Sequence, residues 1–159
     1  MSQFSDIAGA LSTIVTAVTN VGQVHARRRW DADWSRFLNQ FKATISGKVQ
    51  VRAWMVTREG WAASAGDSFG EVQREHRMLL VGALGVEDAS DTETTFQALI
   101  ESICDAIDAR KDLGLSAVTD YSVGPCSVRT IGVEPVGSVL CHVCEIEIPV
   151  TTVQAVSYA

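Results

Sequence analysis

Val139-Leu140-Cys141-His142-Val143-Cys144-Glu145-Ile146-Glu147-Ile148-Pro149-Val150 alternates strictly between two sets of side chains. Leu140, His142, Cys144, Ile146 and Ile148 fall on one face of an extended chain, and Val139, Cys141, Val143, Glu145 and Glu147 on the other, because successive side chains of a strand point to opposite sides. Pro149 has no backbone donor for a ladder, which places it at a sheet edge or a strand end. Just upstream, Glu134-Pro135-Val136-Gly137 reads as a turn and Ser127 to Val133 as the partner strand. The C-terminal third is therefore a hairpin.

The same two-residue period recurs earlier. From Lys48, Val49, Val51, Ala53 and Met55 alternate with Gln50, Arg52, Trp54 and Val56. Val72, Arg74, His76, Met78 and Leu80 form one face of a second strand, opposite Glu71, Gln73, Glu75, Arg77, Leu79 and Val81. Between them, Glu59 to Gly70 holds three glycines, Trp61 and small residues, and reads as a long hairpin loop with Gly66-Asp67 at its tip. Gly82 to Asp88 reads as a connection.

Helical spacing governs the remainder. Phe4, Ile7, Ala8, Leu11, Ile14, Val15 and Val18 form an amphipathic stripe that Asn20-Val21-Gly22 is suited to stop. A short helix is expected from about Asp31, with Trp34, Phe37, Leu38 and Phe41 on one face. Ser90-Asp91-Thr92-Glu93 matches a capping box, followed by Phe96, Leu99, Ile100, Ile103, Cys104 and Ile107. Arg110 and Lys111 suit the end of that helix, and Gly114 its C-terminal cap. The order is α-α-ββ-α-ββ. It predicts an α+β fold, a single antiparallel sheet built from two β-hairpins with helices packed on one face, as one domain over residues 1–159.

Composition narrows the function classes. The chain has 159 residues, with 47% hydrophobic and 20% charged residues, as expected of a globular domain. No apolar run approaches the ~20 residues of a membrane span, so no membrane partner is expected. No leader-like basic and apolar segment opens the sequence, and the four cysteines read as reduced thiols of a cytosolic protein.

The charge is unevenly distributed. Residues 1–60 hold eight Lys/Arg against four acids, the remainder five against fifteen, for a formal net charge of −6. Such a chain is able to attract copies of itself head to tail, in contacts that close into rings or continue as filaments.

No catalytic signature stands out, and the chain does not read as an enzyme. Cys141-His142-Val143-Cys144 has metal or redox spacing, but within a strand a separation of three puts the two thiols on opposite faces. Cys104 and Cys126 are isolated in sequence, and neither a metal nor a cofactor is expected. A phosphate loop, a nucleophile elbow, H-E-x-x-H and a paired-carboxylate signature are all lacking. A cysteine enzyme using Cys141 or Cys144 with His25, His76 or His142, and a monomeric binding module, are the competing readings. The segment His25-Ala26-Arg27-Arg28-Arg29-Trp30 is the candidate site. Its guanidinium groups suit carboxylates of a neighbouring subunit or a phosphate backbone, or it is a solvated loop with Trp30 covering the core.

Several stretches resemble the tail terminator (tail completion) proteins of long-tailed bacteriophages. They are the first helix followed by Val21-Gly22-Gln23-Val24-His25, the strand pair with Trp54 and Arg77, the helix opened by Asp91-Thr92-Glu93, and Gly137-Ser138-Val139-Leu140-Cys141-His142 running into Glu145-Ile146. The resemblance implies a structural virion protein without an active site, a homo-oligomeric ring, hexameric in that family, at the head-proximal end of the tail tube. Such a ring ends tube polymerisation and joins the tail to the head. Its implied partners are the tail tube protein, head-tail connector or neck proteins, and DNA passing through the lumen without sequence-specific binding. Assembly would take place in the host cytoplasm. Head-completion or stopper rings of the neck share this size and style and, with other minor tail proteins, are the alternative. His25, Arg27, Arg28, Arg29 and Trp30 are then the subunit-interface or lumen candidates.

Overall fold

The structure, a computed structural model, describes residues 2–115 and 119–156; Met1, 116–118 and 157–159, included in the one-domain reading, lie outside the described residues. Helix α1 (Gln3–Thr16) is capped by Ser2, whose side chain accepts from the Ser5 amide, and buries Ile7, Ala8, Leu11 and Val15. It ends before the expected Asn20-Val21-Gly22 stop, which redirects the chain instead. Asn20 and Gly22 both have positive φ, and a Cβ at Gly22 would lie 2.4 Å from the Arg52 carbonyl oxygen. That turn delivers strand β1 (Gln23–His25), helix α2 (Trp34–Asn39) with Asp33 as its N-cap, and strand β2 (Lys42–Ile45). Ser46 and Gly47 have φ values of 51° and 78°, suited to a two-residue hairpin turn into β3 (Lys48–Ala65).

β3 and β4 (Glu71–Gly85) form the longest hairpin. The expected loop over Glu59 to Gly70 is a correction, because β3 continues to Ala65 and only residues 66–70 turn, Gly66-Asp67 among them. A bulge lies between Arg58 and Gly60, and beyond it the strand leaves the core, so its small exposed residues carry no burial pattern. Gly82 is not a break either. It sits inside β4 because the Trp54 ring covers it, and a Cβ there would fall 2.2 Å from that ring.

A 3-10 turn (Asp88–Ser90) leads into helix α3 (Thr92–Asp108). The cap is Asp91, in the left-handed region at φ 46°, which accepts from the Thr94 amide. Ser90 instead donates to Glu87, so the expected Ser90–Glu93 box does not form. The helix ends at Ala109, and Gly114 (φ 66°) serves a later turn. Strands β5 (Thr119–Val123), β6 (Ser127–Val136) and β7 (Val139–Ala155) complete the chain.

The fold class expected from sequence is overturned. The strands form one mixed sheet of seven, a curled half-barrel, in the order β1-β3-β4-β7-β5, with β2 beside β3 and β6 beside β7. The β1–β3 pair is parallel. Helices cover both faces. α1 and α3 pack on the face that carries Trp54, Val56, Met78, Leu80, Cys144, Ile146 and Ile148. α2 packs on the other, where Leu38 and Phe41 meet Val51, Ala53 and Cys141. Two cores, one per face, explain why alternation in β3 and β7 is apolar on both sides.

Pro149 shows why the edge reading fails. β7 is an inner strand, with β4 along one side and β5 and β6 sharing the other. The Pro149 carbonyl accepts from Gly124 at 2.9 Å, in the break between β5 and β6. In an antiparallel strand a residue's N and O face the same side, so the missing donor points into that break and no ladder bond is lost.

Arg129 on β6 records the curl. Its guanidinium reaches Glu59 on β3 at 2.7 Å and Glu147 on β7 at 3.6 Å. Three strand spacings in a flat sheet amount to about 14 Å, beyond comfortable reach of one such pair, so the sheet closes toward the α2 side. Leu79, beside Glu147 in the register, is only 2% exposed.

Candidate functional site

The segment singled out by its arginines links β1 to α2. His25 ends β1 opposite Met55, and its Nε2 lies 2.8 Å from the Gln40 carbonyl oxygen. Arg29 donates from Nε to Gln40 Oε1 at 2.8 Å. Two members of the set therefore hold the loop to Gln40, the C-cap of α2. Arg27 and Arg28 are exposed and make no hydrogen bond or ion pair among the described residues.

Trp30 does not cover the core. It is 76% exposed and stacks on Phe37 with ring centroids 6.3 Å apart. Trp34, expected on the inward face of α2, is 67% exposed and meets the edge of Phe37. Phe37 in turn packs on Phe41 at 4.7 Å, and Phe41 on the His25 ring at 5.8 Å. The aromatic series runs from the second core to the surface and ends in two solvent-facing indoles, Trp30 directly after the Arg27–Arg29 run in the sequence and Trp34 two residues before Arg36. Tryptophan and arginine together are the side chains that most often dominate binding energy at protein interfaces.

The opposite charge lies on α3 and the turns that follow. Glu93, Glu101, Asp105, Asp108 and Asp112 are exposed, while the other side of that helix buries Phe96, Ile100, Ile103 and Ile107. Trp30 and Trp34 lie with Phe37 of α2 on one side of the sheet and the acidic side of α3 on the other, while Arg27 lines a pocket with Phe4, Ser5 and Ser12 of α1.

A third surface was not legible in the sequence. Strand β6 is exposed along almost its whole length, pairs on one side with β7, and presents Ile131 and Val133 beside Leu140 of β7. Among the described residues no strand pairs with the other edge of β6, and such an edge offers its amides and carbonyls to another chain.

Of the groups considered for a cysteine site, Cys141 lies on one face of the sheet and Cys144, His76 and His142 on the other. Cys141 lies in the core under α2, and Cys144 in the core under α1 and α3. Burial pushes their thiols up, to about 11 and about 12 respectively. His142 lies on the Cys144 side, 3.0 Å from Thr92 Oγ1 and stacked on Phe96. His76 also faces that side, with Nε2 3.2 Å from Thr152 Oγ1. Cys104 and Cys126, isolated in sequence, share a thiol hydrogen bond that lowers the Cys104 pKa and raises that of Cys126. No group of three or more His, Cys, Asp or Glu suited to a metal occurs among the described residues, and no helix among them is long and apolar enough to cross a membrane. Compared with known proteins, the chain matches no family model and no curated protein sequence.

Proposed function

We propose that this chain is a structural virion protein of a long-tailed bacteriophage, a ring subunit that caps the head-proximal end of the tail tube and joins it to the neck. The observation that carries the reading is the pair of solvent-facing indoles Trp30 and Trp34 over Phe37 of α2, in a segment that also holds the unpartnered Arg27 and Arg28, against the acidic side of α3 on the other face of the sheet. A closed ring of identical subunits needs two different, complementary patches on each subunit. The open edge of β6 with its exposed Ile131 and Val133 adds surface that a lone subunit leaves in water. The sequence resemblance supplies the place of such a ring.

The test is the double charge reversal Arg27→Glu and Arg28→Glu, with Arg29 left intact because it holds Gln40. Phage tails assembled with this variant are imaged by negative stain beside tails made with and without the parent protein. Overlong tubes in the absence of the protein, and again with the folded variant, are expected. Tubes of normal length without the protein overturn the capping role, and normal tubes with the variant overturn the assignment of the Arg27–Arg28 patch.

A further inference from the structure

A second arginine pair, far from Arg27 in the sequence, lines a cavity of about 350 Å³ at the distal end of the β3–β4 hairpin. The bulge at Glu59 creates it. Arg58 and Trp61 are three residues apart and would face opposite ways in a regular strand, but the extra residue turns both toward α1. Arg74 on β4, opposite Ala63, joins them on that face. Gln3 and Phe4 from the first turn of α1 and Gln154 from β7 close the cavity around His76.

Both guanidinium groups are half-buried, and every partner they have is neutral. Arg58 lies 3.4 Å from His76 Nδ1 and 5.3 Å from the centre of the Phe4 ring. Arg74 donates to Gln154 Oε1 at 3.2 Å and Gln3 Oε1 at 3.4 Å, and lies 5.7 Å from the centre of the Trp61 ring. No carboxylate lines the cavity, and neither arginine is in an ion pair among the described residues. His76, 1% exposed, is pushed toward its neutral form by burial and then by the two cations. Two positive charges thus share a small, partly desolvated space, and the positive end of the α1 dipole adds to them.

Such an arrangement is complete only with a counter-charge. We propose that Arg58 and Arg74 form a binding site for a small phosphate monoester, with the phosphate between the guanidinium groups and the organic part against Trp61. Two uncompensated cations match the dianion that a monoester becomes above pH ~6, and planar guanidinium groups suit its oxygens. The volume lies within the range of small-molecule sites. Trp61, half-exposed on the rim, supplies a flat apolar wall. This site is independent of the ring reading, because its ligand is tested on the free protein.

The experiment titrates the protein with inorganic phosphate and with phenyl phosphate at constant ionic strength, following heat and the imidazole resonances of His76. Saturable binding with a displaced His76 signal is expected, tighter for phenyl phosphate. Arg58→Gln and Arg74→Gln should each weaken both ligands at least about tenfold, as loss of a charge-assisted hydrogen bond does. Thermal unfolding confirms that each variant is folded. Trp61→Ala, at a half-exposed position, should remove the preference for phenyl phosphate over inorganic phosphate. Non-saturable uptake, or binding that survives both arginine variants, overturns the proposal. An unchanged preference in Trp61→Ala overturns the placement of the organic part.

Discussion

Replacing Gly82 by alanine adds one methyl group to the middle of β4, where an ideal Cβ would lie 2.2, 2.5 and 2.7 Å from three atoms of the Trp54 ring. The ring has nowhere to go. Its Nε1–H donates to the Val21 carbonyl at 3.0 Å, and its other side stacks on Phe96 at 5.7 Å. Relief requires β3 and β4 to separate, the Val21 bond to break, or α3 to shift, and each disturbs the main core. Overpacking of this kind costs typically 1–3 kcal/mol and more where nothing yields, so Gly82→Ala should destabilise by about 3 kcal/mol or more. For a domain of this size that lowers Tm by about 6–12 °C. The control is Gly132→Ala in β6, where a Cβ meets nothing within 4 Å; a surface change of that kind stays within about 0.5 kcal/mol. Thermal unfolding followed by far-UV circular dichroism measures both, and near-UV signals report whether the Trp54 environment has changed. Equal Tm values for the two variants would refute the packing of Trp54 over Gly82.

Cysteine alkylation at pH 7.5 should modify Cys104 first, because the bond from the Cys126 thiol favours its thiolate, while Cys141 and Cys144, at about 11 and about 12, should react only on unfolding. Peptide mass spectrometry against time gives the order, and early labelling of Cys144 would contradict its placement in the main core. His76 should make the fold acid-sensitive. Its folded pKa lies below the ordinary 6.5, so the unfolded chain binds the proton more readily and stability falls as pH drops through 6.5 toward the folded value. Urea midpoints between pH 7.5 and 5 should decline in the parent and decline less in His76→Gln, and parallel curves would assign the sensitivity elsewhere.

How much of this fold the sequence discloses depends on how many residues each signal spans. α1 and α3 were legible because stripes of six or seven apolar residues at helical spacing leave one reading, and those residues face the core, with Phe4, Ile14, Val18 and Cys104 only partly buried against it. β1, β2 and β5 were not, since three to five residues of mixed polarity carry no period. Their absence from the reading turned a mixed seven-stranded sheet into two hairpins. Gly82 and Pro149 misled for a common reason. Each breaks a rule that holds for an isolated strand, and each is accommodated by something distant in sequence, the Trp54 ring in one case and the break between β5 and β6 in the other.

The candidate sites divide the same way. Arg27 and Arg28 stand out in any reading of the chain, because a run of like charges needs no tertiary context to be noticed. Trp34 was placed inward by its spacing to Phe37, Leu38 and Phe41, but α2 has only six residues, too few for a period to fix which side faces the core. Its exposure beside Trp30 is what changes a basic loop into a surface with the composition of an interface. The Arg58–Arg74 cavity was out of reach altogether. Trp61 lay in a segment read as loop, and only the bulge at Glu59 brings it to the face of Arg58. A one-residue shift in register exchanges the two faces of a strand, so a site that depends on a bulge can be recognised only once the pairing is known.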